Sequence, residues 1–404
     1  MTGQAGVRRN TTLSPTTSKA VSRRLRPPRH LTLISYFPPR CRPGGAEFQA
    51  LDFAKHLVRK GFETHVVSRS DKILPYREVV DGVRVHRVLY CPQPVWMRFT
   101  YYFSAFLEII QLSPDLIHAI GFFPNCVIGS VSSRVLRRPL VSVSVDSDVR
   151  RGNPIVISLF WKFILRSSRV VIVKEAESAR RLAPYSSTKN IAIIPNGIDQ
   201  SRFRGLGRRR CRQLLGLSSD LKVILYVGRL EAVKNVGSLL IAFSKVLEKF
   251  QDLRLLIVGG GPELAKLRAT ASKIHIEQVT DFVGEVSRQE VGRYMKAADL
   301  LVLPSLSEGS PNVVLEALAA GLPTLASRVG GTPDLIRHGR EGFLFETGNT
   351  AQMTHLLTLI LGNAQLKRKM SLNARNRSKD FPLKQINDKI LQLTSSALSS
   401  PVGH

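Results

Sequence analysis

The stretch Leu303–Ala317, LPSLSEGSPNVVLEA, contains the change from a short apolar strand to a helix. Ser310 suits the N-cap of that helix, and Pro311 suits the first helical position because no amide partner is needed there. A strand followed directly by a helix is the repeating unit of parallel sheets whose crossover helices cover both faces. Such sheets bind ligands outside the carboxyl ends of their strands, so this loop is a candidate site.

The beginning of the same helix predicts an anion-binding site. The amides of Asn312, Val313 and Val314 should lack intrahelical partners, and with the helix dipole they favour a group such as a diphosphate. Glu308 and Glu316 could accept hydrogen bonds from hydroxyl groups. The alternative is that Glu308 is a solvated loop residue and that Glu316 pairs with a base on a neighbouring helix.

The alternation of strands and helices continues along the chain and predicts two doubly wound α/β units, separated by turn residues at Ile194–Asp199. We predict a tail at residues 1–30, an amino-terminal domain at 31–198, a carboxyl-terminal domain at 199–375 and a closing helical segment at 376–404. The predicted strands are Leu31–Tyr36, Glu63–Ser68, Val83–Arg87, Leu116–Ala119, Leu140–Val145, Val170–Val173, Ile191–Ile194, Val223–Val227, Leu253–Val258, Val279–Val283, Leu300–Leu303, Thr324–Ser327 and Gly342–Phe345.

Composition agrees with two domains. The chain has 404 residues, of which 43% are hydrophobic, and its net charge of +29 predicts acidic partners such as phosphorylated small molecules, anionic lipids or nucleic acid. Four cysteines without metal-type spacing favour a reducing compartment, and no charge-free apolar run reaches the ~18 residues of a membrane span. A cytoplasmic location is expected, with the acid-free residues 1–30 as a disordered basic tail or, alternatively, a transit peptide.

A second loop supplies positive charge. Arg229 and Lys234 follow the predicted strand Val223–Val227, and Lys234 lies near the beginning of the next helix. A cation there is disfavoured by roughly 0.3–1 kcal/mol unless an anion is close. The two residues could clamp a diphosphate, arginine by its planar fork and lysine as a point charge. An ion pair with Glu231 would explain either residue alone.

Two glycine-containing loops also follow strands. Gly44 and Gly45 precede a helix and would let a phosphate approach the backbone closely, although a tight turn explains them equally well. Gly259–Gly261 resembles part of a dinucleotide fingerprint, but Leu264 stands where its third glycine belongs. A nicotinamide cofactor is therefore disfavoured.

These residues resemble the retaining glycosyltransferases of family 4, the glycogen synthase and mannosyltransferase-like group with the GT-B fold. The family's two glutamates separated by seven residues match Glu308 and Glu316, and Ala320–Pro323 and Gly330–Gly331 match the text that follows. The resemblance extends from about Leu31 to Leu393. It implies two Rossmann-like domains facing each other across a cleft, with the acceptor bound by the amino-terminal domain and a nucleotide-sugar donor by the carboxyl-terminal domain.

The resemblance also implies a role for each matching residue. Glu316 would hold the ribose hydroxyls, Glu308 would act near the reacting face of the donor sugar, and Val283 would lie beside the base. The amides of Gly309, Ser310, Asn312, Val313 and Val314 would contact the sugar and the phosphates. The remaining implied ligands of the diphosphate are Arg229, Lys234, Gly44 and Gly45.

The implied reaction moves a sugar from a UDP- or GDP-linked donor to a lipid-linked, saccharide or small-molecule acceptor, with retention of anomeric configuration. The leaving diphosphate is stabilised by the two cations and the helix amides, while one of its oxygens takes the acceptor proton. No metal is expected, because these groups supply the charge that a divalent ion supplies elsewhere. No cofactor is expected beyond the nucleotide-sugar co-substrate.

The match is weaker on the acceptor side. Where the family often has two histidines flanking one residue, the chain keeps His118 and has Ile120 in the second place. A later His-Gly pair is replaced by Val145 and Asp146. His118 is therefore a candidate catalytic residue, with a structural histidine as the alternative. Lost or altered activity is a further alternative.

A non-catalytic basic module is the competing class, with residues 1–30, Arg208–Arg210 and Arg137–Arg138 as its contact surface. No recognisable nucleic-acid motif accompanies these residues, so nucleic acid is not expected as a partner. The aromatic and basic stretch Val95–Phe106 could instead rest on the cytosolic face of an anionic membrane and receive a lipid acceptor, or it could be a buried helix.

Overall fold

The protein consists of two Rossmann-like α/β domains, each built on one predominantly parallel sheet. The computed structural model describes residues 26–37, 44–70, 74–91, 99–144, 154–186, 190–205 and 207–399. Most of the predicted tail lies outside these ranges. Arg29 and His30, however, belong to the first strand, so the prediction that the tail extends to residue 30 is wrong at its end.

The amino-terminal sheet contains one strand that the sequence did not predict. Its strands are β1 (Arg29–Leu33), β2 (Glu63–Arg69), β3 (Arg77–Val80), β4 (Val83–Val88), β5 (Leu116–Ile120), β6 (Leu140–Val143), β7 (Val170–Val173) and β8 (Ile191–Ile193). Their order is β3-β4-β2-β1-β5-β6-β7-β8, and β3 pairs antiparallel with β4 at the edge. We missed β3 because an exposed edge strand of four residues carries little apolar signal.

The carboxyl-terminal sheet is parallel throughout its described pairings. Its strands are β9 (Lys222–Val227), β10 (Leu253–Val258), β11 (Thr280–Gly284), β12 (Leu300–Leu303), β13 (Thr324–Ser327) and β14 (Gly342–Phe345). Their order is β11-β10-β9-β12-β13-β14. The strand order reverses between β9 and β12, and this is the switch point at which such sheets form a ligand crevice. The loops that carry Arg229 and Glu308 follow these two strands.

Helices cover both faces of each sheet. They are α1 (Gly45–Arg59), α2 (Phe99–Leu112), α3 (Val127–Leu136), α4 (Pro154–Ser167), α5 (Ala176–Leu182), α6 (Arg208–Leu214), α7 (Val236–Leu247), α8 (Leu264–Lys273), α9 (Arg288–Ala297), α10 (Asn312–Ala320), α11 (Thr332–Leu335), α12 (Thr350–Gly362), α13 (Ala364–Ser378) and α14 (Leu383–Ser399). On the amino-terminal sheet, α2, α3 and α4 pack through Tyr101, Ile128 and Ile164. The opposite face is covered by α1 and by the last helix, α14, through Phe53 and Ile390.

The chain crosses between the domains twice, and the two crossings pair with each other. The Ile198 amide donates to the Phe381 carbonyl at 2.8 Å, and the Leu383 amide donates to the Ile198 carbonyl at 3.1 Å. A Cβ on Gly197 would lie 2.7 Å from the Leu383 Cα, so only glycine fits here. This shared crossing brings α14 back onto the amino-terminal domain.

Candidate active site

The crevice between the domains is bounded by the N-termini of two helices. Gly45 is the first residue of α1 and Asn312 is the first residue of α10. A Cβ on Gly45 would lie 2.4 Å from the Asn312 Nδ2, so the two helix ends are in contact. Because each helix end carries partial positive charge, the crevice favours an anion from both sides.

The start of α10 differs from the sequence prediction. Pro311, not Ser310, is the N-cap, and α10 begins at Asn312. The Val314 amide donates to the Pro311 carbonyl at 3.0 Å, so its predicted availability to a ligand is wrong. Within the described ranges, the amides of Asn312 and Val313 keep no protein acceptor. The anion site is therefore narrower than predicted, with two free amides.

A polar seam joins the domains beside these amides. The Asn312 Oδ1 accepts from the Asn196 Nδ2 at 2.9 Å and from the Gln49 Nε2 at 3.4 Å. The Asn196 Nδ2 also lies 3.2 Å from the Ser310 carbonyl oxygen. The buried Asn196 Oδ1 and Ser310 Oγ have no protein partner in the described chain. Since buried polar atoms are normally hydrogen-bonded, these two are candidates for contact with a ligand that enters the seam.

Lys234 and Glu308 meet in the crevice. Glu308 is only 7% exposed, and its Oε1 accepts from the Lys234 Nζ at 2.7 Å and from the Ser305 Oγ at 2.6 Å. The interpretation of Glu308 as a solvated loop residue is therefore wrong. Both donors use the same oxygen, and Oε2 has no donor within the described ranges. Lys234 ends a short 3-10 turn, Ala232–Lys234, just ahead of α7, which aims its ammonium at the loop after β12.

Arg229 lies at the rim of the crevice. Its side chain is 72% exposed, and its Nη2 lies 2.7 Å from the Glu231 Oε1, which is the simple ion pair considered above. Burial raises the pKa of Glu47 on α1, and the charge of Arg229 across the crevice is among the influences that oppose that rise. Because its side chain is largely exposed, a change of rotamer would be enough to turn Arg229 from Glu231 toward a bound phosphate.

The carboxylate of Glu47 lies against the loop of Gly44 and Gly45 at the N-terminus of α1. Burial raises the pKa of Glu47, while hydrogen bonds from the Glu47 and Gly44 amides oppose that rise. The Glu47 Oε2 lies 2.8 Å from the place where a Cβ on Gly44 would stand. A carboxylate therefore occupies the anion position at the N-terminus of α1, and a phosphate entering here must displace it or bind beside it.

Two arginines that the sequence did not single out hold Glu316. Its Oε1 lies 3.2 Å from the Arg202 Nη1 and 3.8 Å from the Arg288 Nε. The alternative of a base on a neighbouring helix is thus realised, because Arg288 begins α9. Burial raises the pKa of Glu316, and the two guanidinium charges oppose that rise and favour the ionised form. Oε2 has no protein donor among the described residues.

Arg288 also connects this carboxylate to the other domain. Its Nη1 lies 3.1 Å from the Asp52 Oδ2, and its guanidinium carbon lies 4.8 Å from the centre of the Phe48 ring. Asp52 and Phe48 are on α1, one turn apart. Nothing in the sequence around Arg288 marks it as the partner of a residue more than 200 positions away. The contact with Asp52 could therefore not be predicted from the sequence.

The remaining glycines and Val283 belong to the carboxyl-terminal sheet and the loop after β10. A Cβ on Gly259 would lie 1.9 Å from the Gly228 carbonyl oxygen, and one on Gly261 would lie 2.4 Å from the Leu230 carbonyl oxygen. Close packing against the loop after β9 therefore explains these glycines without a dinucleotide. Val283 is half-buried in β11 and packs on the carboxyl-terminal core.

His118 lies in the core of the amino-terminal domain. It is 2% exposed, and its ring centre lies 5.5 Å from that of His30 and 5.2 Å from that of Phe53. Burial lowers the pKa of His118 well below the usual range, so it is neutral at physiological pH. The structural alternative fits these surroundings, and a catalytic role for His118 stays a prediction.

The two sheets and the crevice between them form the GT-B fold. The structure of sucrose-phosphate synthase from Thermosynechococcus elongatus is similar, with a TM-score of 0.79 and 20% identity over 91% of this chain and 98% of that one. Anabaena HepE in complex with UDP-glucose has a TM-score of 0.73 and 22% identity over 91% of this chain and 99% of that one.

Sequence comparison gives the family. The model for glycosyl transferases group 1 matches residues 208–377, and the model for glycosyltransferase family 4 matches residues 43–202. The putative teichuronic acid biosynthesis glycosyltransferase TuaC of Bacillus subtilis is 31% identical over 76% of this chain and 82% of its own length. The chain belongs to the family 4, group 1 glycosyltransferases, whose members use nucleotide sugars.

Proposed function

We propose that the chain transfers a sugar from a UDP- or GDP-linked donor to an acceptor with retention of anomeric configuration. The observation that carries the proposal is the arrangement around Lys234. The pair formed by the buried Glu308 and the partly exposed Lys234 lies beside the free amides of α10, opposite the N-terminus of α1. Two helix N-termini and a lysine directed at one crevice favour a phosphorylated ligand.

In this proposal the diphosphate binds between Lys234, Arg229 and the amides of Asn312 and Val313. These groups stabilise the charge that develops on the leaving group, and they are held in place before the reaction begins. A non-bridging oxygen of the leaving diphosphate takes the proton of the acceptor hydroxyl as the acceptor oxygen attacks on the same face. No divalent ion is included, because the two cations and the helix ends supply positive charge.

Glu308 has a separate role in the proposed reaction. Its Oε1 is held by Lys234 and Ser305, and its Oε2 is left for a sugar hydroxyl. Displacement of Lys234 toward phosphate would leave Glu308 with one partner and a negative charge beside the reacting carbon. That charge favours the oxocarbenium-like character of a glycosyl transition state.

Thermal-shift measurements with UDP-, GDP- and ADP-sugars test the proposal. We expect one of these series to raise the Tm, because a ligand that binds only the folded protein stabilises it. Lys234→Met should remove most of that shift, whereas Lys266→Met, an exposed lysine paired with Glu263, should leave it unchanged. A chain that no nucleotide sugar stabilises, or equal shifts in the two variants, would refute the assignment.

A non-catalytic basic module finds less support. Arg208 pairs with Asp299 at 3.0 Å, and Arg138 lies 3.5 Å from Asp115. Two of the basic residues that such a module would present therefore already have intramolecular ion-pair partners at the surface. We retain the enzyme as the proposed function.

A further inference from the structure

One face of the amino-terminal domain exposes an unusual number of large apolar side chains. Eight of the eighteen large hydrophobic residues that are exposed in the described chain lie on α2, α3, α4 and the turn after β5. We call this the apolar face; its exposed members are Phe99, Phe103, Leu107, Phe123, Val131, Val135, Leu159 and Phe160. Contiguous apolar surface of this kind marks an interaction site on a folded protein.

The aromatic part of the apolar face is continuous. Ring centres lie 5.7 Å apart between Phe99 and Tyr102, 6.0 Å between Tyr102 and Phe123, and 5.9 Å between Phe123 and Phe160. Phe99, Phe123 and Phe160 are 69%, 59% and 39% exposed. The rings therefore form one ridge that runs from α2 across the turn after β5 to α4.

The ridge lies at the rim of the crevice. Phe123 follows the carboxyl end of β5, which is the crevice edge of the amino-terminal sheet. Phe99 begins α2, and α2 leads into β5; Phe160 is in the first half of α4, and α4 leads into β7. A helix that precedes a parallel strand starts at the carboxyl edge of the sheet. All three rings are thus beside the entrance to the proposed active site.

The charges around the apolar face are positive. Arg134, Lys162 and Arg166 on α3 and α4 are exposed. The single acid on these described elements is Glu108, whose side chain is 14% exposed and lies 2.8 Å from the His86 Nδ1. A second copy of this chain would set these cations against each other, which disfavours self-association through the face. Aromatic rings bordered by lysine and arginine suit the interface of an anionic bilayer.

We propose that the apolar face docks on an anionic phospholipid bilayer and that the aromatic ridge inserts at the headgroup level. None of the helices in the described ranges is long and apolar enough to cross a membrane. Docking would place the entrance of the crevice at the lipid surface. That orientation serves a lipid-linked acceptor, and this last step alone rests on the proposed function. The earlier hypothesis concerned Val95–Phe106, of which residues 95–98 lie outside the described ranges.

Vesicle sedimentation of the full chain tests the docking. We expect binding to phosphatidylcholine vesicles that contain phosphatidylglycerol, weak binding to phosphatidylcholine alone, and weakening as salt rises. The triple variant Phe99→Ser, Phe103→Ser, Phe123→Ser should lower the partition coefficient at least tenfold. The matched control is Leu372→Ser, a 61% exposed leucine on α13 of the other domain, which should bind as the wild type does.

Other outcomes would overturn the proposal. Equal binding of the triple variant and the control to anionic vesicles would show that the tail or another basic surface makes the contact. If light scattering finds a dimer in the wild type and a monomer in the triple variant, the face belongs to an interface with a second copy.

The nucleotide-dependent rise in Tm is measured on the same variants. If it persists while vesicle binding is lost, donor binding and docking are separate, and absence of the rise in wild-type protein would refute the proposed function alone.

Discussion

Replacement of Glu316 by glutamine should weaken nucleotide binding through the ribose. The Oε1 of Glu316 is engaged by Arg202 and Arg288, so Oε2 is the oxygen that can accept from the 2′- and 3′-hydroxyls. Glutamine keeps the shape and one neutral acceptor but loses the charge. A hydrogen bond to a charged acceptor contributes about 1.5–3 kcal/mol, against about 0.5–1.5 kcal/mol for a neutral one.

The expected loss is therefore about 2–3 kcal/mol for two hydroxyls, or roughly 30- to 150-fold in Kd. Isothermal titration calorimetry should use whichever of UDP, GDP and ADP stabilises the wild type most. The same nucleotide without its 2′- and 3′-hydroxyls completes a double-mutant cycle, which isolates the contact from any effect of the substitution on folding. Glu316→Gln should bind the dideoxy nucleotide about as well as the wild type does.

Two results would contradict this assignment. One is a wild-type protein that does not distinguish the ribose from the dideoxyribose nucleotide. The other is a variant that loses affinity for both nucleotides equally, since the carboxylate would then act on the structure of the crevice, through Arg202 and Arg288, and not on the ribose.

Three further predictions follow from the packing and the buried charges. Gly331→Ala places a Cβ 2.5 Å from the Gly309 carbonyl oxygen, so in a thermal-shift assay it should lower the Tm and abolish the nucleotide-dependent shift. The control Gly207→Ala, which has open space around it, should change neither quantity. Burial lowers the pKa of His30 to about 3, so between pH 6.5 and 3 the unfolded chain binds more protons. The free energy of unfolding therefore does not depend on His30 above pH 6.5 and falls by about 2 kcal/mol between pH 6.5 and 5. Urea unfolding measures this loss, and His30→Leu should reduce it. Asp52→Asn removes an ion pair between the domains and should increase the radius of gyration in small-angle scattering, with the free energy of unfolding of each domain little changed.

Much of the fold could be predicted because parallel strands are buried on both faces and give continuous apolar runs. The predicted and observed strands agree for β7, β10, β12, β13 and β14, and most of the others differ by only a few residues at their ends. The exceptions have physical reasons. β3 is an exposed edge strand, and β1 begins with Arg29 and His30, whose polarity resembles that of the tail.

The site was predictable where a motif or a conformational requirement marks the residue. Glu308 and Glu316 are recognisable by their spacing in the sequence. Lys234 is recognisable because a cation near the start of a helix is unfavourable. Arg288 and Asn196 were missed because their partners are far away in sequence and belong to the other domain. The N-cap of α10 was misplaced by one residue, because proline is compatible with both the N-cap and the position after it.

The central claim is that Lys234, Arg229 and the start of α10 grip a diphosphate. Calorimetric titration of the wild type with the matched nucleoside diphosphate and monophosphate tests it most directly. We predict that the diphosphate binds at least about 30-fold more tightly, from a charge-assisted contact of about 2 kcal/mol, and that the difference nearly disappears in the double variant Arg229→Met, Lys234→Met. Equal affinities for the two nucleotides in the wild type, or an undiminished difference in the double variant, would contradict the claim.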